Sequence, residues 1–181
     1  MAKYDTTELI REALDAGFSQ AGELNLEALV FMPEVRDMCR ADRCNQYGRN
    51  WRCPPACGSI EDAAERAAKY SYGLLVQTIG TMEDDFDYQA MLDTGEQHKR
   101  NFVDLIGALK TRYDDILPMG AGTCSICTAC AYPDAPCRFP EKSYSSMEAY
   151  GLWVSRVCEI SGIPYNNGKR TITYTSCYLL K

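Results

Sequence analysis

The 181-residue sequence is poor in histidine, with His98 the only one. It contains no G-x-G-x-x-G string and no Walker A string. A lone histidine gives almost no support to Ser-His or Cys-His hydrolysis, and without the glycine-rich loops a bound nucleotide is not indicated. Long apolar runs are missing as well. None reaches the roughly 18 residues of a membrane span, and the opening MAKYDTTELIREALDAGF has no apolar core of a signal peptide. No internal repeat or low-complexity tract occurs. Positive charge is also in deficit, 19 Lys and Arg against 25 Asp and Glu, for a net charge of −6. A general nucleic-acid binder would be basic. These absences predict a cytoplasmic chain with neither a membrane nor a nucleic acid as partner.

What remains is ordinary globular composition, 24% charged and 46% hydrophobic. The length suits a single domain over 1–181 that buries a core without staples. Thr6 or Thr7 is placed to cap a helix over 6–17, with Leu9, Ile10, Ala13 and Leu14 on one face. Leu26 to Phe31 reads as a strand ended by Pro33, and 34–39 as a short helical turn. Ser59 and Asp62 open a helix as a weaker capping box. YGLLVQTIG is a buried strand pattern. Acids at 83–87 precede a long helix over about 88–113. Ile116 to Met119 reads as a strand. Ser145 and Glu148 form a capping box for a helix to about Ser161, which Gly162 stops. After an Asn166-Asn167-Gly168 turn, TITYTSCYLL alternates, with Ile172, Tyr174, Ser176 and Tyr178 on one side. Strands alternating with helices predict an α/β fold: one small sheet layered with helices.

Cysteine is abundant, ten residues in all. Clustered cysteines in a reduced compartment point to metal ligands or redox groups before disulfides. Eight fall into two groups, in loops at about 36–58 and 120–140. The second group is Cys124-x2-Cys127-x2-Cys130-x6-Cys137. Three thiols at this spacing wrap the backbone around an inorganic core, as in ferredoxin motifs, and crowd a single tetrahedral zinc poorly. The six-residue last gap predicts that Cys137 completes its own cluster and does not cross to another. The first group is Cys39-x4-Cys44-x8-Cys53-x3-Cys57. Its gaps suit zinc as well as iron–sulfur, although Cys53-Pro54 matches the Cys-Pro that ends ferredoxin motifs. If Cys57 is not a ligand, one iron of a four-iron cluster lies open to a small molecule.

Arg36, Arg40, Arg43, Arg49 and Arg52 surround the first group, partly offset by Asp37 and Asp42. They would stabilise an anionic cluster or attract an anionic substrate; the plainer reading is a solvated basic loop. Cys158 and Cys177 are isolated and read as buried structural cysteines. His98, beside Lys99 and Arg100, reads as a surface histidine. Tyr47, Trp51 and Trp153 are expected to pack around the cysteine groups or in the core.

CRADRCNQYGRNWRCPP (39–55), GAGTCSICTACAYPDAPCRFP (120–140) and SMEAYG (146–151) together resemble an uncharacterised family of predicted metal-binding proteins of anaerobic bacteria and archaea, domain of unknown function 2284. The resemblance covers nearly the whole chain. It implies a cytoplasmic metal protein of iron–sulfur type and supplies no reaction.

Together the residues lead to an iron–sulfur protein with one or two [4Fe-4S] clusters that passes electrons to a redox partner protein. The alternatives are an enzyme that binds an anionic substrate at an open iron, and a binding module held in shape by zinc.

Overall fold

The computed structural model describes residues 4–181. In chain order its elements are α1 (Thr6–Asp15), β1 (Gln20–Glu23), α2 (Pro33–Asp37), α3 (Ile60–Ala67), β2 (Tyr72–Thr81), α4 (Tyr88–Leu109), β3 (Ile116–Met119), α5 (Val154–Ile160) and β4 (Thr171–Leu180). Three short 3-10 segments lie at Leu26–Ala28, Met38–Ala41 and Glu148–Tyr150. Among the described residues, no helix is long and apolar enough to cross a membrane.

The four strands make one antiparallel sheet in the order β1-β2-β4-β3. β2 and β4 pair from Tyr72↔Leu180 to Thr81↔Thr171. Successive strand residues point to opposite faces, and here both faces are covered. Leu74, Val76, Tyr178 and Leu180 pack with Leu9 and Ala13 of α1 and with Phe102, Leu105 and Leu109 of α4. Leu75, Cys177 and Leu179 pack on the other side with Ala63 and Ala67 of α3, Val157 and Cys158 of α5, and Met147 and Leu152. The fold is therefore α/β, one small sheet layered with helices, and the two cysteine-bearing loops leave it at the ends of α2 and β3.

The caps explain where helices begin. Asp5, not Thr6 or Thr7, caps α1 by accepting from the Glu8 N–H at 3.0 Å. At α3 the capping box forms in full: Ser59 Oγ accepts from Asp62 N at 3.0 Å, and Asp62 Oδ2 accepts from Ser59 N at 2.8 Å. Such a cap contributes about 1 kcal/mol.

Several sequence expectations are corrected. Residues 26–31 form a 3-10 turn capped by Asn25, with a single bridge from Phe31 to Leu152, and no strand. The strand of this region is β1, whose QAGE has no apolar alternation; pairing with β2 makes it a strand, not propensity. The helix expected over 145–161 is broken. Gly151 sits in the left-handed region at φ 85°, and a Cβ there would lie 2.9 Å from the Met32 carbonyl oxygen. Two backbone groups of 147–151 bond outward: Met147 N donates to Gly120 O, and Gly151 O accepts from Met32 N. The Ser145–Glu148 box does not form; Ser146 Oγ accepts from Ala149 N instead.

His98 is the clearest reversal. It is 1% exposed, with Nδ1 2.9 Å from Thr78 Oγ1 and Nε2 2.7 Å from Ser176 Oγ. It belongs to a buried stripe of α4 with Thr94, Asn101, Phe102 and Leu105, while Lys99 and Arg100 lie off that stripe. Burial pushes its pKa down to about 4.

A histidine held neutral in the fold and free to ionise when unfolded near pH 6.5 makes the unfolded state the better proton binder between those values. His98 therefore stabilises fully above pH 6.5, and its contribution falls by up to about 3 kcal/mol as pH drops to 4. Denaturant titrations at a series of pH values should show the stability gap between wild type and His98→Gln shrinking from pH 7 to pH 4. A gap constant across that range would contradict a neutral, buried His98.

Candidate metal centre

The first cysteine loop starts where α2 ends. Cys39 lies in the 3-10 turn Met38–Ala41, which Asp42 terminates in the left-handed conformation. Asp42 Oδ1 then accepts from Tyr47 N at 2.8 Å and folds the loop back. Asn50 O accepts from Cys53 N, and Cys53 O accepts from Cys57 N, so the loop's end is wound tightly. Cys53 is buried, Cys39 and Cys57 are half-buried and Cys44 is exposed.

Burial, followed by the neighbouring thiols Cys44, Cys57 and Cys39, pushes Cys53 up to about 12. Cys39 is raised by burial and then by Cys44. Cys44, Cys57 and Cys39 are thus close enough to Cys53 to oppose its ionisation. Cys57 is also raised by burial, against the Arg36 guanidinium, whose Nη2 lies 3.2 Å from its Sγ. Among the five arginines, Arg36 is the one with a hydrogen bond to a thiol. Arg40 and Arg49 pair with Asp37 and Asp42 at 3.3 and 3.8 Å on the exposed surface.

The second loop is tied at its base. Gly120 N donates to Ser145 O at 2.9 Å and Met147 N to Gly120 O at 3.0 Å, so the chain leaves β3 and returns to the same place. Within it, Ala131 O accepts from Ala135 N, and Arg138 Nη1 donates to Ala129 O, both at 2.9 Å. Cys124, Cys127, Cys130 and Cys137 all line one recess. Cys124 is raised, first by burial and also by the three other thiols of its group. Cys137 differs. Burial raises it, but the Ser143 hydroxyl at 3.4 Å, the Phe139 N–H, Arg52 and Arg138 outweigh this and bring its pKa below the usual thiol value.

The two loops dock on each other, through residues that sequence spacing did not single out as contacts. Buried Asn50 donates to Cys124 O at 3.1 Å. Trp51 Nε1 donates to Ala135 O at 2.9 Å, and its ring meets Tyr132 edge-on at 4.8 Å. Arg52 donates to Ser143 Oγ at 2.7 Å and Pro140 O at 2.8 Å. Trp51 therefore packs around the cysteine groups, as expected, whereas Trp153 is half exposed. Cys158 and Cys177 are fully buried, and Cys158 Sγ accepts from Gln77 Nε2 at 3.5 Å, a packing role in the core.

All ten cysteines are free thiols. Among the described residues, no three His, Cys, Asp or Glu side chains are gathered into a preformed single-ion site. The donor chemistry nonetheless suits a thiophilic group: four sulfurs around one recess, with guanidinium groups beside them. The fold and these two loops define a cysteine-rich α/β protein of metal-binding type. The chain belongs to the family of predicted metal-binding proteins known as domain of unknown function 2284, whose model matches residues 22–180. No curated protein and no solved structure matches it significantly.

In the metal-free protein, iodoacetamide should label Cys137 well before Cys53 or Cys177, because alkylation follows the thiolate. Burial raises Cys177 far above the usual range. Ser143→Ala should slow Cys137 labelling several-fold, read by mass spectrometry of quenched samples. Labelling of Cys53 or Cys177 ahead of Cys137 would contradict the order.

Proposed function

We propose that this chain is an iron–sulfur protein carrying one or two [4Fe-4S] clusters, and that it passes electrons to a partner redox protein. The observation that carries this reading is the second loop, where all four thiols of a C-x2-C-x2-C-x6-C string border one recess. The spacing favours a polynuclear core over a single tetrahedral ion. A bound cluster would supply one-electron storage. Cys124, Cys127, Cys130 and Cys137 would hold it, with Arg52 and Arg138 offsetting its negative charge. The tied base at Gly120 and Ser145 keeps the four donors on one loop.

For the first loop the ligands would be Cys39, Cys44, Cys53 and Cys57. Arg36 beside Cys57 favours the thiolate over the thiol, as a metal ligand needs. The same contact supports the second reading, in which Cys57 stays off the metal, an iron lies open, and Arg36 holds an anionic substrate there. A zinc-held first loop is the third.

Protein purified without oxygen should be brown, with about four irons and four sulfides per cluster. Cys130→Ser should remove the second loop's share of iron and its electron paramagnetic signal. A colourless protein holding zinc alone would overturn the proposal. Cys57→Ser separates the first two readings: a changed first-loop signal makes Cys57 a ligand, and an unchanged one favours the open iron.

A further inference from the structure

Adjoining the thiol recess, and sharing Cys124, Ile126 and Ser143 with it, is a cavity of about 100 Å³ between α4 and the segments 120–126 and 142–144. A single water needs only about 10–15 Å³ of such space, so the cavity has room for several waters or a small organic molecule. Its walls divide by chemistry. Phe102, Val103 and Tyr144 give an apolar side, with the rings of Phe102 and Tyr144 meeting edge-on at 5.7 Å.

The polar side is cationic and rich in donors. Lys99 and Lys142 both line the cavity. Lys99 Nζ lies 2.9 Å from Ser125 Oγ, another lining residue, and 2.9 Å from Glu96 Oε1, which offsets part of its charge. Lys142 has no ion-pair partner among the described residues. The same wall contains Ala121, Gly122 and Thr123, whose backbone N–H groups donate to no protein acceptor among the described residues. Gly122 adopts φ 71° there. Unused backbone donors beside a left-handed residue make a concave site that favours anions. No carboxylate lines the cavity.

We propose that this cavity binds a small organic anion, an aromatic or branched carboxylate. Its apolar body lies against Phe102, Val103 and Tyr144, and its carboxylate meets Lys142, Lys99 and the N–H groups of 121–123. An inorganic anion would leave the aromatic wall unused, and a neutral hydrocarbon would leave the lysine and backbone donors unused. Cys124 lines both this cavity and the thiol recess, so a bound carboxylate would sit beside the second cysteine group. The binding step does not depend on which metal that group holds.

The test is calorimetric titration of the full-length protein, metal content as purified, with benzoate and with benzyl alcohol, its neutral counterpart. Benzoate should bind one per chain with a dissociation constant on the order of 1 mM or tighter, as expected for so small a ligand. Benzyl alcohol should bind at least tenfold more weakly. The double variant Lys99→Gln, Lys142→Gln should lose tenfold or more in benzoate affinity, while Lys142→Arg, which keeps the charge, stays within threefold. Circular dichroism that matches wild type shows that the variants fold. Equal affinity for the acid and the alcohol, full affinity in the folded double variant, or no benzoate binding at 10 mM, set from the expected millimolar range, would each overturn the proposal. A colourless, zinc-only protein that still bound benzoate would refute the iron–sulfur reading and leave this site standing.

Discussion

The pairing of β2 with β4 across ten residues is the constraint on which the rest of the molecule depends. The seven residues from Tyr72 to Thr78 are buried, as are the last six of β4, from Thr175 to Leu180. A strand buried on both faces fixes two layers at once, because a slip of one residue would exchange every side chain between them. Polar groups lock the register further. His98 bridges Thr78 of β2 and Ser176 of β4, and Gln77 donates to Thr175 Oγ1 at 3.1 Å. Buried donors and acceptors left unpaired cost about 1–3 kcal/mol each, so these contacts select one register. β1 and β3 then add to the edges, and both cysteine loops inherit their anchor points from this frame.

The electrostatics of the loops follow from where the frame holds them. Thiols placed near one another and partly out of water are harder to ionise, which accounts for the raised values of Cys39, Cys53 and Cys124. Without metal, Cys39, Cys53 and Cys124 hold their protons more tightly than free thiols do. Loading a metal then exchanges protons for a cation, which couples affinity to pH. Arg36, Arg52 and Arg138 contribute the fixed part of the positive charge. Cys137, with Ser143 and two of those arginines beside it, is the thiol whose surroundings already favour the anion.

Much of this was legible in the sequence. The two long strands, α1, α3, α4 and β3 follow from periodicity, β-branched runs and caps. The two cysteine groups follow from spacing alone, as did the buried roles of Cys158 and Cys177. The misses share a physical cause, which is backbone bonding between distant segments. QAGE becomes a strand because Gln77 to Leu74 present a free edge. SMEAYG forms only a 3-10 turn and does not run on into α5, because left-handed Gly151 ends it and Met32 N takes the Gly151 carbonyl. His98 reads as exposed from its charged chain neighbours, although the stripe Thr94, His98, Asn101, Phe102 and Leu105 on α4 carries the opposite signal. The docking of Asn50, Trp51 and Arg52 had no periodic signature at all, since loop-on-loop contacts have no repeat to read.

That docking changes how the cysteine groups should be regarded. Read along the chain they are two motifs separated by 66 residues, from Cys57 to Cys124. In space the residue before Trp51 holds the carbonyl of Cys124, and the residue after Arg52 is Cys53, whose ionisation Cys124 itself opposes. One of the two arginines that lower Cys137, Arg52, comes from the first loop, and so does the ring that meets Tyr132 edge-on. Three consecutive side chains thus bind both groups into one unit. The shape of either loop becomes a condition for the other, because buried polar contacts such as that of Asn50 cannot be released singly without leaving a group unpaired. Coupling of this kind is reciprocal: whatever stabilises the docked form of one loop stabilises the docked form of its neighbour by the same free energy.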